Sequence, residues 1–347
     1  MKKGAVMLTG KLILITSIAT IMNIPARADP IEDFYRGRTI TLVLSTGTGG
    51  GYNEYAQTFA KYFGQHLPGS PSVMVQHLPG AGGIRATNFL YSVAPKDGAT
   101  IGLVYGTMTT ADVFFADQAQ FDPTKFNWIG NIDGEVGFCH FWHTTKAKTL
   151  DDLKKQEFIV GSAGVGGSFD IHPRLLNKIA GTKIKIVSGY KNGNEVNLAM
   201  ERGEVHGRCG QSVTGILSTR PEWLTEKKTT LIAQFGVRKH RDYPDVPLIL
   251  DLAEDADDKA ALRLAMAERD VSRPILAPPG VPAERVAALR RAFDATMEHP
   301  GFQGELEKRR LTFSPKAGEE VEKLVVASHA VSDAVKKRAI ELVATTD

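Results

Sequence analysis

Cysteine is scarce in this 347-residue chain, where Cys139 and Cys209 are the only two. That rules out a disulfide-dense small scaffold and a cysteine-rich zinc site. Each cysteine lies in a strand-like run, and an oxidising compartment would permit a bridge. Spacing alone leaves both readings open, a bridge or two buried thiols. A dominant charge is lacking too, with 42 basic residues against 39 acidic ones. Nothing in that balance favours nucleic acid or an anionic membrane as a partner. Metal-ligand spacing is also missing. His140 and His143 stand three apart in a probable strand, so they point to opposite faces. The acidic run Glu254-Asp255-Ala256-Asp257-Asp258-Lys259 has no calcium-loop pattern and reads as a solvated helix end. No metal and no cofactor is expected.

Long apolar runs are confined to the N-terminus. Met1-Lys2-Lys3 and Lys11 precede the apolar stretch Leu12 to Met22, and Ala26-Arg27-Ala28 follows. This is the pattern of a signal peptide with an Ala-x-Ala cleavage site, and its apolar stretch is shorter than the roughly 20 residues a membrane span needs. Cleavage after Ala28, export to the periplasm and a soluble mature chain are the expectation. Losing residues 1–28 removes four basic residues and no acidic one, leaving 38 against 39 and a net charge of −1.

What the chain has in abundance is glycine, 34 residues, much of it clustered. Ser45-Thr46-Gly47-Thr48-Gly49-Gly50-Gly51-Tyr52 and Gly161-Ser162-Ala163-Gly164-Val165-Gly166-Gly167-Ser168 each lie between a strand-like run and an amphipathic helix. Glycine lets the backbone approach a ligand, and a helix start offers free N–H groups at the positive end of its dipole. Two such cradles in one chain point to two lobes gripping one small anion.

Strand-like runs at Thr39 to Leu44, Ser72 to Gln76 and Thr100 to Tyr105 alternate with helical patterns, as do Val136 to Trp142, Phe158 to Val160, Lys183 to Val187, Val205 to Cys209 and Leu231 to Phe235. A short strand at Pro274 to Leu276 comes later. This alternation predicts an α/β protein with two mostly parallel sheets flanked by helices. The turn-rich segment Phe121 to Trp128 is read as a crossing between lobes and Gln234 to Lys239 as the return. Lobe one is then residues 29–130 with 236–347, and lobe two is 131–235. Pro173 predicts a helix that begins later than Phe169.

In order along the chain come Tyr35-Arg36-Gly37-Arg38-Thr39-Ile40-Thr41-Leu42-Val43, Gly49-Gly50-Gly51, Pro79-Gly80-Ala81-Gly82-Gly83, Ala94-Pro95-Lys96-Asp97-Gly98, Gly161 to Gly166, Tyr190-Lys191-Asn192-Gly193, Gly203-Glu204-Val205, Asp245-Val246-Pro247 and Ala277-Pro278-Pro279-Gly280-Val281-Pro282. Together they resemble the Bug or TctC-type periplasmic solute receptors of tripartite tricarboxylate transporters, across nearly the whole chain after the leader. The resemblance implies a bilobal type II periplasmic binding fold, a Venus flytrap, that acts as a monomer. It implies a small organic acid as ligand, whether a di- or tricarboxylate, an acidic amino acid or an aromatic acid. It also implies delivery to the membrane permease subunits. Carried onto this sequence, the site is Thr46, Gly49, Gly50, Gly51, Tyr52 and Asn53 with Ser162, Ala163, Gly164, Gly166, Gly167 and Ser168, and Thr107, Tyr190 and Gln211 line the remainder. Asp170 stands where relatives often carry histidine, and Gly210-Gln211 where they carry Asp-Asn.

Other chemistries fit less well. Tyr52 occupies the place of the last glycine in a dinucleotide fingerprint, and Gly167 the place of a Walker lysine. Gly210-Gln211-Ser212-Val213-Thr214-Gly215 is one residue too long for a nucleophile elbow. A receptor that feeds a signalling protein and a periplasmic hydrolase are the alternatives. Arg208 reads equally as a carboxylate ligand or as a structural ion pair.

Overall fold

A computed structural model describes residues 29–164 and 167–344, together with Met1 and Gly4. The expected leader and Gly166 lie outside the described residues. The first sheet is built from β1 (Thr39–Leu44), β2 (Ser72–His77), β3 (Thr100–Leu103) and β4 (Asn127–Asn131). The second holds β5 (Gly137–Trp142), β6 (Phe158–Ser162), β7 (Ile184–Ser188), β8 (Gly207–Ser212) and β9 (Thr229–Phe235). The chain then returns to add β10 (Pro274–Ala277) and β11 (Lys316–Ala317) to the first. Strand orders are β11-β4-β10-β3-β1-β2 and β7-β6-β8-β5-β9.

Each sheet is mixed rather than simply parallel. β1 pairs in parallel with β2 and β3, and β6 with β7 and β8. β10 runs antiparallel between β3 and β4, and β5 antiparallel between β8 and β9. β10 and β5 enter their sheets from the other half of the molecule and arrive with the opposite sense, while the short β11 is also antiparallel to β4.

The strand runs are apolar on both sides because both faces are covered. In β1, Ile40, Leu42 and Leu44 join one cluster while Val43 joins another, the alternation that a pleated strand imposes. In the second sheet Phe158 and Val160 face the main core, and Ile159 packs against the cluster around Trp223.

Two crossings differ from the expected ones. The Phe121–Trp128 segment does not pass between lobes. Asp122 caps a short turn at Pro123–Lys125, and β4 follows within the first sheet. The outgoing crossing is residues 132–136. Past β9 the chain stays with the second core, where Leu248, Ile249, Leu250, Leu262 and Met266 are buried. It returns only at residues 267–273. The two crossings are tied by backbone bonds, Ser272 N–H to the Asp133 carbonyl (3.1 Å), Ile132 N–H to Arg273 (3.1 Å) and Glu135 N–H to Arg269 (2.9 Å). The C-terminal helix Asp333–Val343 also leaves the first lobe, placing Ala339, Leu342 and Val343 in the second core. The assignment of 236–347 to lobe one is therefore corrected for 248–266 and for this last helix. No described helix is long and apolar enough to cross a membrane.

Cys139 in β5 and Cys209 in β8 are bonded to each other, closing a separation of 70 residues between paired strands. Both are fully buried. Loop-closure entropy assigns a bridge of this span about 4 kcal/mol. Replacing both cysteines by alanine is expected to lower the melting temperature by roughly 10 °C, since each kcal/mol shifts a domain of this size by roughly 2–4 °C. An unchanged melting temperature would show that the strand pair needs no covalent tie.

Candidate functional site

A cavity of about 60 Å³ lies between the two halves. A water needs roughly 10–15 Å³ by this measure, so the space takes a molecule of several heavy atoms. From the first lobe come Thr46 and Gly49, Gly50, Gly51 and Tyr52. Gly49 and Gly50 have φ of 82° and 79°, a left-handed turn that swings the backbone into the helix Gly51–Phe63. From the second lobe come Ser168 and Phe169 at the start of the helix Ser168–Ala180, Asn192 to Asn194 at the start of Gly193–Glu201, and Gly210 to Ser212 at the end of β8. Glu135, Arg269 and Arg273 on the crossings also line it.

The glycine loops do not face one another as expected. Loop 45–51 meets residues 191–194, where the Asn192 amide donates to the Thr48 carbonyl at 2.9 Å. Gly164 and Gly167 meet the Pro79–Gly83 loop instead, where a Cβ on Gly167 would lie 3.8 Å from the Gly82 Cα. Ser168 reaches the cavity, but Ala163 and Tyr190 line a neighbouring cleft of about 280 Å³ with Gly80, Gly82 and Gly83. Ser162 bonds the Gly164 N–H through its hydroxyl. Gly164 packs near Gly82. Asn53 and Thr107 are not in the cavity wall, although the Thr107 hydroxyl is buried without a partner.

Asp170 is corrected most clearly. Its carboxylate is fully buried and forms a two-point ion pair with Arg174 one helical turn on, at 3.0 and 2.8 Å. The helix begins at Ser168 and runs through Pro173, contrary to the late start predicted. The Asp170–Arg174 pair and the buried Ile171, Leu175 and Leu176 hold the turn from which Pro173 withholds an N–H.

Gln211 does line the cavity, and its position is fixed. Its side-chain oxygen accepts from His140 Nε2 at 3.0 Å, while Thr229 bonds Nδ1 at 2.8 Å. Burial, reinforced by the Arg208 charge, pushes the His140 pKa down to about 3, so the imidazole is neutral.

Arg208 is the informative neighbour. It is 5% exposed, its Nη1 donates to the Gly193 carbonyl (3.0 Å) and to Asn197 Oδ1 (2.8 Å), and its guanidinium lies 4.2 Å over the Phe169 ring. Among the described residues no carboxylate pairs with it, and its Nε has no acceptor. Burial pushes its pKa down to about 9. An unpaired buried charge is costly, so the site favours an anion here.

The crossings carry a second charged group. Arg273 Nη2 pairs with Glu135 Oε2 at 2.7 Å, and Arg269 Nη1 with Glu268 Oε1 at 3.5 Å. Burial raises the Glu135 pKa, but Arg273 and Arg269 outweigh it and hold the group below the usual range. Among the described residues no cation forms an ion pair with Asp133, and burial together with Glu135 lifts it to about 8 against the smaller opposing pull of Thr312 and Arg273. Arg269 and Arg273 had no sequence signal, since each stands alone in an irregular stretch. Arg208 and Ser212 were weighed, and the Asn192–Gly193 turn was part of a motif without being assigned to the site.

Residues 55–340 match the tripartite tricarboxylate transporter family receptor (TctC) family. The chain belongs to that family. Among curated relatives, a UPF0065 protein in the gbd 5' region of Cupriavidus necator is 24% identical over 304 residues, 84% of each chain. The fold is that of the periplasmic binding protein BugD, at a TM-score of 0.69 and 18% identity over 89% of this chain and 97% of the other. MatC from Rhodopseudomonas palustris, solved with malate, gives 0.69 and 18% over 89% and 99%.

Two tests separate the local effects. A Cβ on Gly193 would fall 2.3 Å from Arg208 Nη2, whereas the residue's own backbone is helical. Gly193→Ala is therefore expected to displace the guanidinium and weaken anion binding at least tenfold, with the melting temperature kept; unchanged affinity would remove Arg208 from the site. For Asp133 the folded pKa lies above the unfolded value of 3.8, so stability falls as pH rises from 3.8 towards about 8. Asp133→Asn escapes that loss. Its stability advantage should widen across this window in melts at several pH values, and a constant gap would contradict it.

Proposed function

We propose that this TctC-family receptor captures a small organic carboxylate between its lobes in the periplasm and delivers it to a tripartite tricarboxylate-type membrane permease. The observation that carries the reading is Arg208, a buried cation with no counterion among the described residues, in an interlobe cavity. A carboxylate placed there completes the pair and gains charge-assisted hydrogen bonds of roughly 1.5–3 kcal/mol each. The helix starts at Gly51 and Ser168 add their unpaired N–H groups and the positive ends of their dipoles. Micromolar binding needs about 8 kcal/mol, which a few such contacts supply after the cost of association. The family assignment and the malate in MatC agree with this choice of ligand.

Capture rather than turnover agrees with the family assignment. The Ser212 hydroxyl at the cavity end of β8 donates to Glu135 Oε1 at 2.7 Å and accepts from Gly215 N–H at 3.0 Å. Glu135 is in turn held by Arg273 and Arg269, which keep its pKa low and make it a weak base for that hydroxyl. Because both lobes supply contacts, bound anion favours the closed arrangement, and a permease that recognises closure is told that cargo is aboard.

Thermal-shift and calorimetric screens against mono-, di-, tricarboxylic and aromatic acids test the reading. At least one acid should raise the melting temperature of the wild type. Arg208→Gln should cost that acid about 3–5 kcal/mol, roughly 10²- to 10⁴-fold in Kd. If no acid stabilises the wild type, or if the variant binds as well, carboxylate capture at this site is refuted.

A further inference from the structure

The charges around the cavity define its ligand more narrowly than the family does. Resting on the carboxylate-capture reading, we propose that the ligand is a small monoanion whose single carboxylate meets Arg208. Its other end carries an uncharged hydrogen-bond acceptor, a hydroxyl, keto or amide oxygen, taken by Arg269 and Arg273.

Three arginines and one glutamate line the cavity. Two of the arginines are already neutralised within the protein, Arg273 by Glu135 at 2.7 Å and Arg269 by Glu268 at 3.5 Å. The His172 imidazole, which contacts Glu268 at 3.2 Å, is kept neutral because burial lowers its pKa more than Glu268 raises it. Asp133 sits beside Glu135 on the same crossing, is within ion-pair range of no arginine, and keeps its proton near neutral pH. Only the Arg208 charge is left without compensation.

Spare hydrogen-bonding capacity tells a complementary story. Arg269 Nη2 and Arg273 Nε are buried N–H groups with no acceptor, on residues only 5% and 6% exposed. Each can donate to an oxygen, but neither has charge to spare for it. A neutral acceptor satisfies them at little electrostatic cost. A second carboxylate would introduce a buried negative charge beside Glu135, which is unfavourable unless a further cation is recruited. Tyr52 and Phe169 close the walls with ring faces already covered by guanidinium groups, Arg273 and Arg208 respectively, each at 4.2 Å.

The experiment compares a diacid with its half-amide by calorimetry, beginning with succinate against succinamate and glutarate against glutaramate. A further pair is built on the skeleton of the most stabilising acid in the screen. The half-amide should bind at least tenfold more tightly in the wild type. Glu135→Gln frees the Arg273 charge and should shift the ratio towards the diacid. A diacid that binds as tightly as its half-amide, or a ratio untouched in a folded Glu135→Gln protein, overturns the monoanion proposal while leaving carboxylate capture intact. Should no acid bind at all, both readings fall together.

Discussion

The unpaired guanidinium of Arg208 is the constraint around which the cleft is organised. A cation in a dry strand costs free energy unless something answers it, and within the protein only a carbonyl, an amide oxygen and an aromatic ring do so. Gly193 is tolerated because it has no side chain to collide with the guanidinium. Asn197 is turned inward to accept from it, and Phe169 lies flat beneath it. The disulfide fixes the strand pair that bears it, since Cys209 is the next residue along β8.

Around this centre the hinge contributes more than flexibility. The two crossing segments hydrogen-bond to each other, one carrying Asp133 and Glu135 and the other Arg269 and Arg273, with the Glu135–Arg273 ion pair between them. Tyr52 and Tyr55 from the first lobe stack against Arg273, while Ser212 from the second bonds Glu135. Residues of the two crossings are thus in contact with both walls of the cleft.

Much of the fold was legible because it rests on local periodicity. β1 begins and ends at the expected residues, and β2, β5 and β6 start within a residue of the expected positions, since apolar runs bounded by turns leave few alternatives. β4 was read as a turn because Asp122-Pro123 dominates the local signal, although Trp128 and Ile129 behind it are strand residues. The two-residue β11 is too short to leave a pattern. For the site, glycines announce where a backbone can come close, and Gly49 to Gly51 do line the cavity. Which loops meet depends on how the lobes are set, and that is not a local property. The same limit hid Arg269 and Arg273, both of which bond to Glu135 more than 130 residues away on the other crossing. Asp170 was misread for the opposite reason, as its partner Arg174 is only four residues away and a helix brings them together.

The helix Asp333–Val343 closes the core of a lobe whose strands were all encoded by residue 235. Without those last turns, the helices Ser168–Ala180 and Ala256–Met266 lack part of the surface that covers them. The second core thus depends on two stretches well separated in sequence, and its middle helices are finished only by a segment that follows the whole of the first lobe.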